Sequence, residues 1–473
     1  MVFSSLIFLF LFLPSVNLSY FLFLKRIRIQ NLILALSSLV FYYWGEKDHI
    51  FIMLACIIIN YLCGILINDS QDKKYRKFYL ITSIVASLSL LIYFKYFNFF
   101  ISTANQFLNL NITNFGKIAL PLGISFYTFH SLSYVIDVYW KKFPAERNFI
   151  NFVGYVSLFP QLVAGPIVRY CDIRHSFYRR YITLAGFRNG ILRFCFGLGK
   201  KVLIANEVGR IADIVFNLPT MDLTFGIAWL GAIAYTLQIY FDFSGYSDMA
   251  IGIGLMFGFR YKENFRFPYN ALSIQEFWRK WHISLSSWFR DYVYIPLGGN
   301  RKSKMRTYLN LLLVFGLCGF WHGASYTFIF WGLFHGLFLV LERTSFGVFL
   351  SHLPKFLRHA YVLVIVTIGW VFFREEQIGQ AFSFLKVMFF TNDLSLTVIE
   401  ESLNQMLMLI YFIGALLAFG TTEKIKDFLV AKQYKKWIVS YRQLSIFMAL
   451  IILFIATLSL SNNSYNPFLY FKF

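Results

Sequence analysis

The sequence predicts an all-α polytopic membrane protein, on three observations. The 473-residue chain is 58% hydrophobic and only 14% charged, against ~25% charged in soluble domains. Apolar runs of ~17–25 residues, each long enough to cross the hydrocarbon core, recur along its whole length. Lys and Arg gather in the short segments between those runs, as the positive-inside rule expects of cytoplasmic loops. A β-barrel would instead show ~10-residue segments of alternating hydrophobicity, and none is present. The net charge of +21 is therefore read as orientation and headgroup attraction. It does not point to nucleic acid.

The elements follow in order from charge and length. Residues 1–24 resemble a signal segment, but the basic cluster Lys25-Arg26-Arg28 follows the apolar stretch instead of preceding it. A span with its N-terminus outside is the better reading. Spans at 29–44, 50–67 and 78–98 alternate with Gly45-Glu46-Lys47-Asp48 and with Lys73-Lys74-Arg76-Lys77. Residues 118–140 return to Lys141-Lys142. Gly and Pro interrupt 148–168, which fits a re-entrant segment covered by protein or water. Spans near 187–208 and 224–256 precede a basic, Trp- and Phe-rich stretch at 259–306. That stretch is expected at the cytoplasmic face, partly as interfacial amphipathic helices. Residues 307–341 are apolar with a Gly-Trp-His-Gly break; two full crossings need ~40 residues, so a shallow hairpin is expected. Residues 359–373, 404–421 and 443–461 complete the path. The last span places the tail 462–473 outside. Altogether about ten to twelve transmembrane helices are expected, with both termini extracytoplasmic.

No hydrophilic stretch is long enough for a separate soluble domain, so 1–473 reads as one integral-membrane domain. The five cysteines (Cys56, Cys63, Cys171, Cys195, Cys318) have no metal-binding or redox spacing. They read as small buried hydrophobes, and no metal site is expected.

Chemistry-bearing residues stand out against this apolar background. His322 sits in Gly319-Phe320-Trp321-His322-Gly323. An ionisable group at membrane depth is functional by default because its burial is costly. The plain alternative is a neutral core histidine donating to a carbonyl. His335, in Phe334-His335-Gly336, reads as packing. His282 lies in Trp278-Arg279-Lys280-Trp281-His282. Nearby cations should keep its ring neutral, able to accept a proton or hold a substrate; alternatively it is an interfacial histidine among snorkelling side chains. Arg279, Lys280, Arg290, Asn300, Arg301 and Lys302, with the Gly298-Gly299 turn, form a basic site suited to phosphates. Lipid headgroups would suit the same residues. Asp242, Ser244, Tyr246 and Asp248 lie in an apolar helix. Buried carboxylates need partners, expected as cations from 259–306; lining a substrate tunnel is the second reading. Tyr470 lies in the terminal Phe468-Leu469-Tyr470-Phe471-Lys472-Phe473. It is either a phenol able to carry an acyl group or part of an aromatic belt.

Several segments occur together in one order: Pro121-Leu122-Gly123-Ile124-Ser125-Phe126, Val163-Ala164-Gly165-Pro166-Ile167, Asp242-Phe243-Ser244-Gly245-Tyr246-Ser247-Asp248, the segment from Phe277 to Arg301, and Phe320-Trp321-His322-Gly323. Over roughly 118–345 they resemble the membrane-bound O-acyltransferase superfamily, in its bacterial polysaccharide O-acetylase branch. The resemblance implies a ring of helices around a thin central wall, with two funnels meeting in a central tunnel near the catalytic histidine. It maps the essential histidine to His322 and a more variable polar position, often Asn or His, to His282. Trp281, Trp321, Asp242, Ser244 and Tyr246 are expected as tunnel-lining or structural residues. Phe468-x-Tyr470-x-x-Phe473 is similar to the acyl-carrying C-terminal tyrosine motif of the teichoic acid system. There it stands on a separate small protein; here it is in the same chain.

The resemblance implies acetyl-CoA as donor substrate with no bound cofactor, held by the basic residues at 279–302. It implies His322 as general base and His282 as orienter or oxyanion partner, with Tyr470 as relay. An extracytoplasmic O-acetyltransferase of serine-hydrolase-like type would then place the acetyl group on a polysaccharide such as peptidoglycan or alginate. The expected location is the bacterial cytoplasmic (inner) membrane, with membrane lipids as surroundings. The alternatives are an intracellular lipid O-acyltransferase and a transporter or flippase without acyl chemistry.

Overall fold

The computed structural model describes residues 2–108, 116, 118–163, 165–421, 423, 428, 435–462 and 465–469, with 435–442 described in the backbone only. Tyr470, Phe471 and Phe473 lie outside the described residues, as do Ala164, Lys424, Lys426 and Lys432. Among the described residues every regular element is helical. Among the described residues, four helical stretches are long and apolar enough to cross a membrane: Ile27–Asp69, Lys73–Leu108, Lys355–Arg374 and Gln443–Asn462. A fifth is formed if the pair Tyr326–Leu341 and Ser345–His352, bent by 77°, counts as one. Many of their apolar side chains face outward: Leu36, Val40, Phe51, Leu62, Phe447, Leu450 and Phe454 are all exposed. On a soluble protein such a surface would aggregate; in a bilayer it is the lipid-facing side.

The chain forms two compact units, Met1–Phe194 with Met249–Lys262, and Cys195–Asp248 with Glu263–Phe473. In the first, the helix Ile124–Tyr139 is buried on nearly every side. Polar side chains at depth find one another. Asn60 donates to Ser87 Oγ at 2.9 Å and accepts from Ser83 Oγ at 2.7 Å. Asn31 donates to Asn151 Oδ1 at 2.8 Å. Without water each such group needs a protein partner. The helix Ile27–Glu46 ends where charge placed its boundary, at Lys47 with φ +45°. The interrupted segment at 148–168 folds as two short helices, Phe149–Ser157 and Phe159–Leu162, broken at Leu158 and wholly buried beyond Ile150.

In the second unit, the expected hairpin at 307–341 is present as Lys304–His322 followed by Tyr326–Leu341. The two helices run antiparallel in very close contact. A Cβ on Gly319 would lie 2.2 Å from the Phe328 carbonyl oxygen, and one on Gly332 would lie 2.2 Å from that of Phe315. Only glycine lets the backbones approach so far, the small-residue device of membrane helix packing.

The basic stretch at 259–306 differs from expectation. Its short helices, Ile274–Lys280 and Ile283–Phe289, bury Phe277, Trp278, Trp281, Leu285, Trp288 and Phe289 within the protein. The expectation was of interfacial amphipathic helices over part of this stretch. The buried rings are instead satisfied by other aromatic rings, which give larger and more specific contacts.

A candidate acyl-transfer site

His322 is the last residue of its helix, and the chain leaves it extended at Gly323 (φ −161°). Its side chain is buried, 5% exposed, inside a cage of rings. The centroids of Trp321, Trp331 and Phe373 lie 4.9, 5.2 and 5.3 Å from its own, each ring steeply tilted to it. His282 is also buried and lies 6.4 Å away, centroid to centroid.

His282 has a left-handed backbone, φ +41° and ψ +54°. Such a conformation costs a residue with a Cβ ~1–2 kcal/mol and persists only where the surroundings over-determine it. Here Asn264 supplies that constraint. Its carbonyl accepts from Ile283 N at 2.9 Å. Its Oδ1 accepts from Ser284 N at 3.1 Å and from Ser284 Oγ at 2.9 Å. Its Nδ2 donates to Ser247 Oγ at 3.0 Å. Arg266 N, bonded to the Lys280 carbonyl at 2.9 Å, closes the other side of the turn. Sequence reasoning missed Asn264. Its only signal was a polar residue at the head of an aromatic run.

Trp281 anchors this turn. It contacts Trp370 at 4.8 Å, Phe265 at 5.0 Å and Phe277 at 5.6 Å. The helix Phe225–Met256 reaches it through Tyr240 and Phe243, each at 6.4 Å. His335 packs between Trp278 and Trp331, each 5.3 Å away, as the packing reading has it. Among the described residues, neither ring nitrogen of His335 has a hydrogen-bond partner, nor does Nε1 of Trp278 or Trp331. These buried polar groups lie along a run of ring contacts from His322 through Trp331 to His335 and Trp278.

Among the described residues the carboxylates of the 242–248 segment pair with lysines outside 259–306. Lys201 Nζ lies 2.7 Å from Asp242 Oδ1, with each side chain 2% exposed. Lys200 Nζ lies 2.6 Å from Asp248 Oδ2. Both lysines stand at the start of a π-helical turn, Lys200–Ala205. What 259–306 gives this segment includes the Asn264 bond to Ser247 and the Trp281 contact with Phe243. Ser244 is buried, its Oγ without a partner among the described residues.

Tyr246 meets the C-terminal tail. Phe468, itself buried, lies over its ring at 4.3 Å and 31°. The tail is held at successive residues. Tyr465 OH donates to Asp213 Oδ2 at 2.6 Å, beneath the Arg210 guanidinium at 5.4 Å from its ring. Asn206 donates to Asn466 Oδ1 at 3.3 Å. Lys201 Nζ donates to the Pro467 carbonyl. Leu469 N donates to Asp242 Oδ2 at 3.2 Å.

The expected phosphate-binding residues lie at or near the surface, and two of the cations have an acidic neighbour. Arg279, Arg290, Asn300, Arg301 and Lys302 are exposed and Lys280 is half-buried. Lys280 is held by Glu276 at 2.7 Å and Arg290 by its neighbour Asp291 at 2.6 Å. The Gly298-Gly299 turn has positive φ at both residues, +104° and +55°.

Residues 144–376 match the membrane-bound O-acyltransferase (MBOAT) family. The chain is 42% identical over 510 aligned residues to a probable alginate O-acetylase, AlgI, of Azotobacter vinelandii, with all of both chains covered. It belongs to the membrane-bound O-acyltransferase family. It is also 37% identical to the peptidoglycan O-acetyltransferase of Helicobacter pylori, over 86% of this chain and 83% of that one. Similarity to the teichoic acid D-alanyltransferase of Bacillus subtilis is 29% over 46% of this chain and 58% of that one. The MBOAT chain is therefore a multi-pass integral membrane acyltransferase. The transporter alternative falls away.

Proposed function

We propose that this MBOAT enzyme moves acetyl groups from cytosolic acetyl-CoA to Tyr470, for onward O-acetylation of an extracytoplasmic polysaccharide of the alginate or peptidoglycan kind. The observation that carries the reading is the meeting of His322 and His282, 6.4 Å apart in one buried aromatic cage. Two imidazoles so placed can serve the two ends of one acyl transfer. His322 takes the proton of the phenol as its oxygen attacks the thioester carbonyl. A tetrahedral oxyanion forms, and His282 hydrogen-bonds to it. The C–S bond then breaks and the thiolate departs; with a thiol pKa near ~8.5 it needs little help beyond the proton His322 returns. The unfilled polar groups of Trp278, Trp331 and His335 are suited to the amides and carbonyl of a polar acyl donor. The basic residues at 279–302 attract its phosphates.

The phenol is a suitable carrier. With pKa ~10 it ionises more readily than a sugar hydroxyl, and its aryl ester stays activated. Transfer onward to the polymer falls to an extracytoplasmic partner of the serine-hydrolase-like type. The reading places the chain in the bacterial inner membrane, both termini outside, with about ten to twelve helices ringed around a central tunnel. The names of the relatives support an O-acetyl group and a surface polysaccharide.

The test feeds membranes isotopically labelled acetyl-CoA and analyses the C-terminal peptide by mass spectrometry. Labelled acetyl on Tyr470, absent in His322→Ala and in Tyr470→Phe, is the expected result. An unlabelled Tyr470 in membranes that still acetylate glycan would overturn the relay.

A further inference from the structure

We infer that the buried Lys201–Asp242 pair is a docking site for the main chain of the C-terminal tail, and that both are positioning residues for the segment leading into Tyr470. The inference rests on the relay reading for its purpose, but its geometry stands independently. Two charges, each 2% exposed, cost several kcal/mol to desolvate unless their remaining hydrogen-bonding capacity is filled. Each gains a hydrogen bond from the tail. Lys201 Nζ faces Asp242 Oδ1 at 2.7 Å as an ion pair and donates its hydrogen bond to the Pro467 carbonyl. Asp242 takes Lys201 on one oxygen and Leu469 N, at 3.2 Å, on the other. Ammonium and carboxylate thus address one carbonyl and one amide two residues apart, like a short piece of strand pairing built from side chains.

The surroundings fit a seat that the tail enters. Phe468, between the two contacted residues, stacks on Tyr246 one helical turn beyond Asp242. Before the seat, Tyr465 is fastened to Asp213, whose other oxygen accepts from Arg374 at 2.8 Å. If the tail leaves, a lysine and an aspartate at depth lose a hydrogen bond each, and Tyr246 loses its covering ring. Occupancy by the tail and integrity of the ion pair therefore support each other. The π-helical turn Lys200–Ala205 contributes by presenting Lys200 and Lys201 to two different carboxylates, Asp248 and Asp242, from adjacent positions. Local widenings of this kind are frequent at functional sites.

The experiment is hydrogen–deuterium exchange of the purified full-length chain in detergent, read on the C-terminal peptide. Four proteins are compared: native, Asp242→Ala, Leu469→Pro and Tyr470→Phe. Leu469→Pro deletes the donated N–H while leaving both members of the ion pair in place, so it reads the dock even if Asp242→Ala fails to fold. The tail amides are expected to be protected in the native chain. Losing a hydrogen bond to a charged group should speed their exchange about tenfold or more in Asp242→Ala and Leu469→Pro, with the rest of the chain unchanged. Acetyl label on Tyr470 should fall in both. Tyr470→Phe should keep the protection although it loses the label. A tail that exchanges freely in the native chain, or equally slowly in Leu469→Pro, would overturn the dock. A protected tail that is never acetylated would leave the dock standing and sink the relay.

Discussion

The rings of His282 and His322 stand 6.4 Å apart and 69° from parallel, although one heads a short helix and the other ends a long one. Their roles should separate on mutation. His322→Ala removes the base and should lower CoA release from acetyl-CoA by ~10²–10⁴-fold, with the protein still monodisperse by size exclusion. Activity within a few-fold of native would rule out His322 as the base.

His282 is constrained twice, by its ring and by its φ of +41°. Asn tolerates the left-handed region better than Ala and carries an amide donor. His282→Asn should therefore retain about tenfold or more of the activity that His282→Ala loses. Unfolding temperature should also fall less in the Asn variant. Equal activities for the two variants would remove the hydrogen-bonding role.

Asn264 holds that turn through four hydrogen bonds of its side chain and carbonyl. Asn264→Ala strands buried partners and should destabilise the protein by ~1–3 kcal/mol. It should also lower kcat more than it raises KM, because the ring of His282 loses its aim. A thermal melt and a steady-state assay together check this. A stability loss with unchanged kcat would make Asn264 a scaffold residue only.

Gly319 faces the carbonyl of Phe328 at a distance no Cβ can occupy. Gly319→Ala must push the two helices apart, at a cost of ~1–3 kcal/mol or more, and displace His322 at the end of the same helix. A lowered melting temperature and loss of transfer are expected together. A native melting curve would mean that the hairpin can relax.

Much of this was legible in the chain, for local reasons. A break in an apolar run shows where a helix must end, and Gly323 and Lys47 mark such ends. A histidine in apolar company announces its burial, and His322 is buried among rings. The partners of the carboxylates were not legible. Asp242 and Asp248 had cations in plenty to choose from, and the basic run at 259–306 was the nearest abundant source. The fold chose two lysines from the preceding helix, because pairing at depth follows which helices pack together and not which segment is most charged. The left-handed turn at His282 was hidden for a similar reason. It comes from Asn264 reaching across a turn, and no property of His282 itself requires it.

The contacts that Lys201 and Asp242 make with the tail go to a carbonyl and an amide, groups that every residue but proline carries alike. Such a seat is blind to spelling but sensitive to count. Exchanging the side chains of Pro467 and Leu469 for others of similar size alters little in it. Adding or removing one residue between the last helix and the seat moves a different residue into the place after Leu469. The tail behaves as a ruler whose zero mark is the buried ion pair, and its length up to that mark is the quantity the protein must keep.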